Sequence, residues 1–163
     1  MLLIFRHFAI LVIAVVLVNA AIARARIPKL FAAGGMDAVE AERFVWFAAA
    51  WLIAFFALNE VLTVTSGASS PLCFIPASHP SGTWQYLAWT LWIGWVLGVT
   101  AWVWIGNGAE RVARFGPLFA NRFEAGQSYK ASTVRLVTLL WCVGTIAIPL
   151  LMPASRSSAL TCP

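Results

Sequence analysis

The chain has 163 residues, of which 61% are hydrophobic and 10% are charged, and its formal net charge is +5. A soluble domain is usually about 25% charged, and a chain of this length cannot bury so much apolar surface in its own interior. Composition therefore excludes an ordinary soluble domain and predicts a single integral membrane domain, with lipid as the solvent for much of its surface.

The first apolar segment runs from about residue 3 to residue 23 and is interrupted early by Arg6. Its basic residue, apolar core and small residues also resemble a signal peptide, but we interpret it as a retained transmembrane helix. In the loop that follows, Pro28 and the pair Gly34 and Gly35 are expected to break any continuous helix.

A second helix is predicted to begin after this loop. Asp37 has the position and chemistry of an N-cap, and Glu40, three residues later, completes a capping box. The apolar run over residues 44–63 is long enough to cross a hydrocarbon core of about 30 Å. It is therefore the second predicted transmembrane span.

Two further spans follow. The second loop, residues 64–83, has no charged residue and contains three prolines, so we expect little regular structure there. The third span covers residues 84–105 and holds six of the nine tryptophans. The fourth covers about residues 133–152. The sequence thus predicts an all-α bundle of four transmembrane helices.

The basic residues are distributed unevenly between the two sides of this bundle. Nine of the eleven lie in or beside the first and third loops, and the other side has only Arg6 and Arg156. The positive-inside rule then places loops one and three in the cytoplasm, with both termini outside. Positive charge at these places indicates topology rather than nucleic-acid binding. The nine arginines against two lysines are typical of a GC-rich bacterium, so we expect a bacterial inner (plasma) membrane.

Glu60 is the first candidate functional residue, because it is the only acidic residue inside a predicted span and follows Asn59 near the outer end. An ionisable residue in a membrane segment is a functional hypothesis by default, since burying a charge in lipid costs several kcal/mol. It would serve as a proton-relay or cation-binding carboxylate. The pattern favours a structural alternative, in which Glu60 reaches the interface or pairs with Arg6 at the same depth.

The third span has two kinds of face. Small residues share one narrow stripe, which should be a helix–helix contact: Thr90, Gly94, Gly98 and Ala101. Tryptophans point mostly away from that stripe: Trp89, Trp92, Trp95 and Trp102. A row of tryptophans can stack a flat cofactor such as a quinone, but the pattern favours packing against lipid or a neighbouring helix. No cofactor is therefore predicted, and a bound lipid or quinone stays as the alternative.

The cysteines and histidines have no spacing that would indicate a metal site. Cys73 and Cys162 both fall on the outer side in this topology, where a disulfide between the second loop and the C-terminal tail can form. Cys142 lies in the middle of the fourth span and is interpreted as a small apolar residue.

The third loop contains a candidate interfacial helix. Gly116 and Pro117 suit a helix start, and apolar residues recur at helical spacing around them: Phe115, Leu118, Phe119 and Phe123. This pattern predicts a short amphipathic helix on the cytoplasmic interface. Its basic neighbours would attract anionic lipid head groups or an acidic partner protein: Arg111, Arg114, Arg122 and Lys130.

The sequence contains no nucleophile with a base, no carboxylate pair and no phosphate-binding glycine loop, so no catalytic residue is predicted. The leading hypothesis is a non-catalytic integral membrane subunit. It would pack through its third helix, and through its outer or cytoplasmic loop, into a larger membrane complex or against copies of itself. One alternative is a small homo-oligomeric transporter or channel that uses Glu60 and Asn59. Another is a membrane enzyme or binding protein that acts on a lipid or quinone.

Overall fold

The computed structural model describes residues 8–32, 37–67, 83–120 and 128–151. Within these ranges the chain forms five α-helices and no strand: α1 (Phe8–Ala32), α2 (Ala38–Ser66), α3 (Thr83–Trp104), α4 (Gly108–Phe115) and α5 (Ala131–Leu151). A 3₁₀ helix, Gly116–Phe119, follows α4 directly. The predicted all-α fold is confirmed for this part of the chain.

Three of the helices, α1, α2 and α3, are long and apolar enough to cross a membrane, and α5 is apolar over Ala131–Ala147. Large hydrophobic side chains are exposed on every one of these helices, including Leu17, Leu58, Leu97 and Leu140. Water would disfavour so much exposed apolar surface, whereas lipid does not. The surface is therefore that of a helical membrane protein.

The first helix is longer than predicted. It continues beyond Ala23, through Arg26 and Pro28, to Ala32. The prediction that Pro28 breaks the helix is therefore wrong. Pro28 removes one backbone hydrogen bond close to the helix end, and the neighbouring Ile27 is buried in the core that α1 shares with α2. Tertiary packing thus keeps this last turn helical.

The second helix begins where the sequence predicts. Oδ1 of Asp37 accepts a hydrogen bond from the backbone N–H of Val39 at 2.9 Å. Glu40 does not complete the predicted capping box, because its carboxylate is directed to α4 and lies 3.1 Å from Arg114. At its other end α2 stops at Gly67, whose φ of 72° is left-handed and suits glycine.

The long helices are arranged as two pairs. α1 packs along α2, and α3 packs along α5. α4 and the 3₁₀ helix lie between the pairs at one end of the bundle, where α4 contacts α5 and the 3₁₀ helix contacts α1. α2 and α3 touch at few positions. Space is therefore left between them along most of their length.

The 3₁₀ helix and the last turn of α4 form a plug between the pairs. Phe115 and Leu118 are fully buried and belong to one apolar cluster with Ala23 and Phe44. The rings of Phe44 and Phe115 lie 5.3 Å apart. A helix does begin at Gly116, with Pro117 in its first turn as predicted, but it is a four-residue 3₁₀ helix. Of the predicted apolar residues, Phe115 and Leu118 are buried against protein, whereas Phe119 is exposed. The position of this helix at the membrane interface stays a prediction.

Arg26 holds this plug to α1. Its Nη1 donates to the backbone carbonyls of Leu118 at 2.7 Å and Ala120 at 2.6 Å. These carbonyls end the 3₁₀ helix and therefore lack helical donors. Hydrogen bonds from a charged donor are stronger than neutral ones, most of all in a partly buried position. An arginine that the sequence assigns to topology thus also joins α1 to the third loop.

Ion pairs bring the charged residues of the first and third loops to the same end of the bundle, which we call the charged end. The pairs join Arg24 to Glu42 at 2.9 Å, Arg114 to Glu40 at 3.1 Å and Arg135 to Glu110 at 2.6 Å. All of these side chains are partly exposed, so each pair contributes about 1 kcal/mol or less. Their main effect is to fix how α2, α4 and α5 are oriented relative to one another, and their contribution to the free energy of unfolding is small.

Replacing Arg26 with methionine should destabilise the protein by about 2 to 4 kcal/mol, because two hydrogen bonds from a charged donor are lost. The free energy of unfolding in detergent measures this effect. Arg24→Met, on the same helix, is the matched control and should cost less than about 1 kcal/mol, since it removes an exposed ion pair. Equal losses in the two variants would contradict the role given to Arg26.

Candidate functional site

A cleft opens between α2 and α3 in the half of the bundle nearest the charged end. Its volume is about 420 Å³, within the range of small-molecule sites. Its walls are mainly aromatic and come from α2, α3 and α5: Phe44, Phe47, Trp51, Trp95, Trp102 and Trp141. We call it the aromatic cleft.

Contacts among these rings fix the walls of the aromatic cleft. The ring centroids of Phe47 on α2 and Trp102 on α3 are 5.5 Å apart. Trp95 on α3 meets Trp141 on α5 edge-to-face at 5.5 Å and stacks on Phe55 of α2 at 4.4 Å. Such pairs contribute about 0.5–1.5 kcal/mol each beyond their buried area. The tryptophans of α3 therefore include residues that pack against neighbouring helices.

Gly108 permits the close approach of α4 to the cleft. A Cβ atom at this position would lie 2.7 Å from Cδ2 of the Trp102 indole, which no real side chain tolerates. Glycine thus lets α4 begin directly over Trp102. This contact leaves Val112 of α4 lining the cleft at its charged end.

A second, polar cavity continues the aromatic cleft towards the charged end. It has a volume of about 450 Å³, shares Phe44 and Phe47 with the cleft, and is otherwise lined by Asp37, Glu40, Arg43 and Arg111. We call it the charged mouth. The aromatic cleft and the group of charged side chains therefore adjoin at Phe44 and Phe47.

The charged side chains that line the mouth differ in whether they have a partner. The Glu40 carboxylate contacts two guanidinium groups, 3.1 Å from Arg114 and 3.9 Å from Arg111. Asp37 is occupied with the α2 cap. Arg43 is exposed and forms no ion pair within the described part of the chain. Positive charge at Arg43 is therefore left available at the mouth.

A third space continues the cleft in the opposite direction. This groove of about 530 Å³ shares Trp51 and Trp95 with the aromatic cleft, and its other lining residues are Ala54, Phe55, Leu58, Leu87, Thr90, Leu91 and Gly94. We call it the distal groove. We call the three adjoining spaces the furrow. At 1.5 Å per helical residue, its lining on the α2 side (residues 37–58) is about 31 Å long and that on α3 (residues 87–102) is about 22 Å long.

The predicted stripe of small residues divides between two environments. Gly98 is half-buried, and a Cβ there would lie 3.7 Å from the Trp51 indole, so this glycine makes a contact within the chain. Gly94 is exposed, and its Cβ would meet nothing within 4 Å. Thr90 and Ala101 are exposed as well. The hydroxyl of Thr90 donates to a carbonyl of its own helix at 2.9 Å, which leaves its methyl group for packing.

Asn59 and Glu60 are half-buried in the second half of α2 and line none of the three spaces. The Asn59 amide donates to the Phe55 carbonyl at 2.9 Å. The Thr63 hydroxyl donates in turn to the Asn59 carbonyl at 2.8 Å. Arg6 lies outside the described residues, so its pairing with Glu60 stays a prediction.

The basic residues predicted for the third loop have different positions. Arg111 lines the charged mouth, and Arg114 pairs with Glu40. Lys130 is exposed just before α5. Arg122 and Phe123 lie outside the described residues. The structure thus brings one of the four, Arg111, to the furrow.

Both cysteines of the predicted disulfide, Cys73 and Cys162, lie outside the described residues, so the bond stays a prediction. Cys142 is buried in α5 with a free thiol, as its mid-span position indicates. Among the described residues, no group of three or more histidine, cysteine, aspartate or glutamate side chains is placed to hold a metal ion.

Sequence reasoning singled out residues on the α3 side of the furrow, including Trp95 and Gly98, but missed the residues that face them, Trp51 and Trp141, although a signal was present. Trp51, Trp95 and Trp141 lie near the middle of their predicted spans, whereas membrane tryptophans are enriched at the two interfaces. Three indoles at the same depth on three helices could have indicated a shared aromatic site. Arg43 had no such signal, because its position at the start of a span is ordinary for a topology determinant.

The chain was compared with protein-family models, with curated proteins and with solved structures. None of the three comparisons finds a match.

The two glycines of the stripe provide a matched pair of variants. Gly98→Leu should destabilise the chain by about 1–3 kcal/mol, because the added side chain overpacks against Trp51. Gly94→Leu should change stability by less than about 0.5 kcal/mol, since its side chain enters open space. Both variants gain the same helix propensity, so unfolding of the monomer in detergent isolates the difference in packing. Equal stability of the two variants would contradict this assignment.

Proposed function

We propose that the protein is a non-catalytic integral membrane subunit that binds, through its distal groove, a transmembrane helix of another chain. That chain belongs to a larger membrane complex or is a second copy of this one. The observation that carries the proposal is the distal groove itself, an apolar surface between α2 and α3 with small residues exposed along it.

The lining of the distal groove suits a helix. Lipid tails are as apolar as leucine side chains, so helices associate in membranes through close packing rather than through a hydrophobic force. Small residues permit that packing, and Ala54, Thr90 and Gly94 are all exposed on the two walls. The open space at Gly94 leaves room for a neighbouring backbone. The groove therefore offers close contact to a helix from outside the chain.

The transporter alternative has less support from the geometry. It depends on Asn59 and Glu60, and neither residue lines the furrow. The Asn59 amide is also engaged within its own helix. An ion or proton path would need these groups to face a continuous polar space.

The proposal includes a location. We place the protein in a bacterial inner membrane, with the charged end in the cytoplasm and both termini outside. The uneven distribution of the eleven basic residues supports this orientation. The ion pairs of Glu40 with Arg111 and Arg114 also support it, because they bring charged residues beside the first and third loops to the same end of the bundle.

Purification from native membranes in a mild detergent should recover the protein in a fixed ratio with the chain that supplies the helix, identified by mass spectrometry. Gly94→Leu should weaken this association about tenfold, because the added side chain fills the contact surface. Ala50→Leu, an exposed position of α2 outside the groove, is the matched control and should bind as the original chain does.

The outcomes of this purification separate the two sources of the helix. Larger subunits in fixed ratio support an accessory subunit, and a homo-oligomer supports self-association through the same groove. Recovery as a monomer, or an association that Gly94→Leu leaves unchanged, would contradict the proposal.

The orientation can be tested with single cysteines in a chain whose native cysteines are replaced by serine. A membrane-impermeant maleimide should label Thr83→Cys, at the start of α3, in intact cells. It should label Ser128→Cys, at the charged end, only in inverted vesicles. The reverse pattern would show that the charged end faces outward.

A further inference from the structure

We propose that the charged mouth and the aromatic cleft together bind one anionic phospholipid of the membrane. Its phosphate would lie beside Arg43 and Arg111, and one acyl chain would lie between α2 and α3. This site adjoins the distal groove, with which it shares Trp51 and Trp95, but the lipid proposal does not rest on the helix contact proposed there.

The charge of the mouth favours an anionic head group. Glu40 already contacts both Arg111 and Arg114, and Asp37 caps α2. The mouth is lined by two basic and two acidic residues, but both carboxylates are engaged, whereas Arg43 has no ion-pair partner among the described residues. Guanidinium groups bind phosphate through several directed hydrogen bonds, so an exposed arginine at membrane depth is a suitable contact for a lipid phosphate.

The position of the mouth fits a lipid better than a water-soluble anion. Arg43 stands one residue before Phe44, which lines both the mouth and the cleft. If the anionic group of a molecule lies at Arg43, the part of the molecule attached to that group therefore lies against the apolar walls of the cleft. That sequence of polar head and apolar chain is the structure of a phospholipid at the edge of the hydrocarbon core.

The cleft also provides room for a chain. Its volume is about 420 Å³, and small side chains, Ala48 and Gly98, keep it open between the aromatic walls. At membrane depth such an apolar space is filled by lipid rather than by water, because its walls offer water few hydrogen-bond partners. The indole rings of Trp95, Trp102 and Trp141, which their contacts hold in place, would restrict the acyl chain to one path.

The test is native mass spectrometry of the full chain in a neutral detergent, after removal of co-purified lipid. Phosphatidylglycerol and phosphatidylcholine with identical acyl chains are titrated separately. Phosphatidylglycerol should form a single adduct at lower concentration. Arg43→Gln should weaken its binding about fivefold, since one arginine near an anionic lipid contributes about that factor. Arg24→Gln, at the same end but outside the mouth, should leave it unchanged.

A second pair of variants tests the position of the acyl chain. Ala48→Phe should weaken phosphatidylglycerol binding more than tenfold, because the new ring occupies the cleft. Ala50→Phe places the same ring on an exposed face of α2 at nearly the same depth and should have no effect. A folded Ala48→Phe protein, checked by its unfolding midpoint, excludes loss of binding through misfolding.

Three results would overturn the proposal. The first is equal binding of the two phospholipids, and the second is an Arg43→Gln protein that binds as the original does. The third is preference for a neutral short-chain quinone whose binding Ala48→Phe removes and Arg43→Gln does not. That result would assign the cleft to a flat ring, with the shielded Trp95 indole N–H as its donor.

Discussion

The two hydrogen bonds from Arg26 to the end of the 3₁₀ helix determine how the helices can be arranged. They join α1 to a segment of the third loop more than ninety residues later in the chain. Because Phe115 and Leu118 are buried beside these bonds, the plug keeps the α1–α2 pair and the α3–α5 pair together at one end. α2 and α3 are then not drawn into contact along their length. Because the pairs are joined through the plug and otherwise meet at only a few ring contacts, such as Phe47 with Trp102, the furrow stays open between them.

Much of the helical framework could be predicted from the sequence, because its signals are local. Asp37 caps α2 as its position indicates, and the third helix, Thr83–Trp104, follows its apolar run closely. The extension of α1 could not be predicted, because it depends on the packing of Ile27 against α2 and on acceptors for Arg26 that lie far away in the chain. From sequence alone, a charged residue beside an apolar span is assigned to a loop, and only its distant partner shows that it belongs to the helix.

The site was harder to predict for a related reason. In a membrane protein, an apolar residue can face lipid or protein with little difference in sequence, because both environments are apolar. Phe115 and Leu118 have the periodicity of an interfacial helix and are nevertheless fully buried. Gly94 and Gly98 belong to the same motif, yet one faces open space and the other faces Trp51. Only tertiary structure separates these cases.

The unequal lengths of α2 and α3 have a further consequence. α2 has 29 residues and α3 has 22, so at 1.5 Å per residue they span about 43 Å and 33 Å. A hydrocarbon core of about 30 Å fits α3 nearly upright, whereas α2 must tilt or project into the head-group layer. Since the two helices are the walls of the furrow, their relative tilt sets its width. Bilayer thickness, and therefore the lipid composition around the protein, becomes a variable that acts directly on the shape of the site.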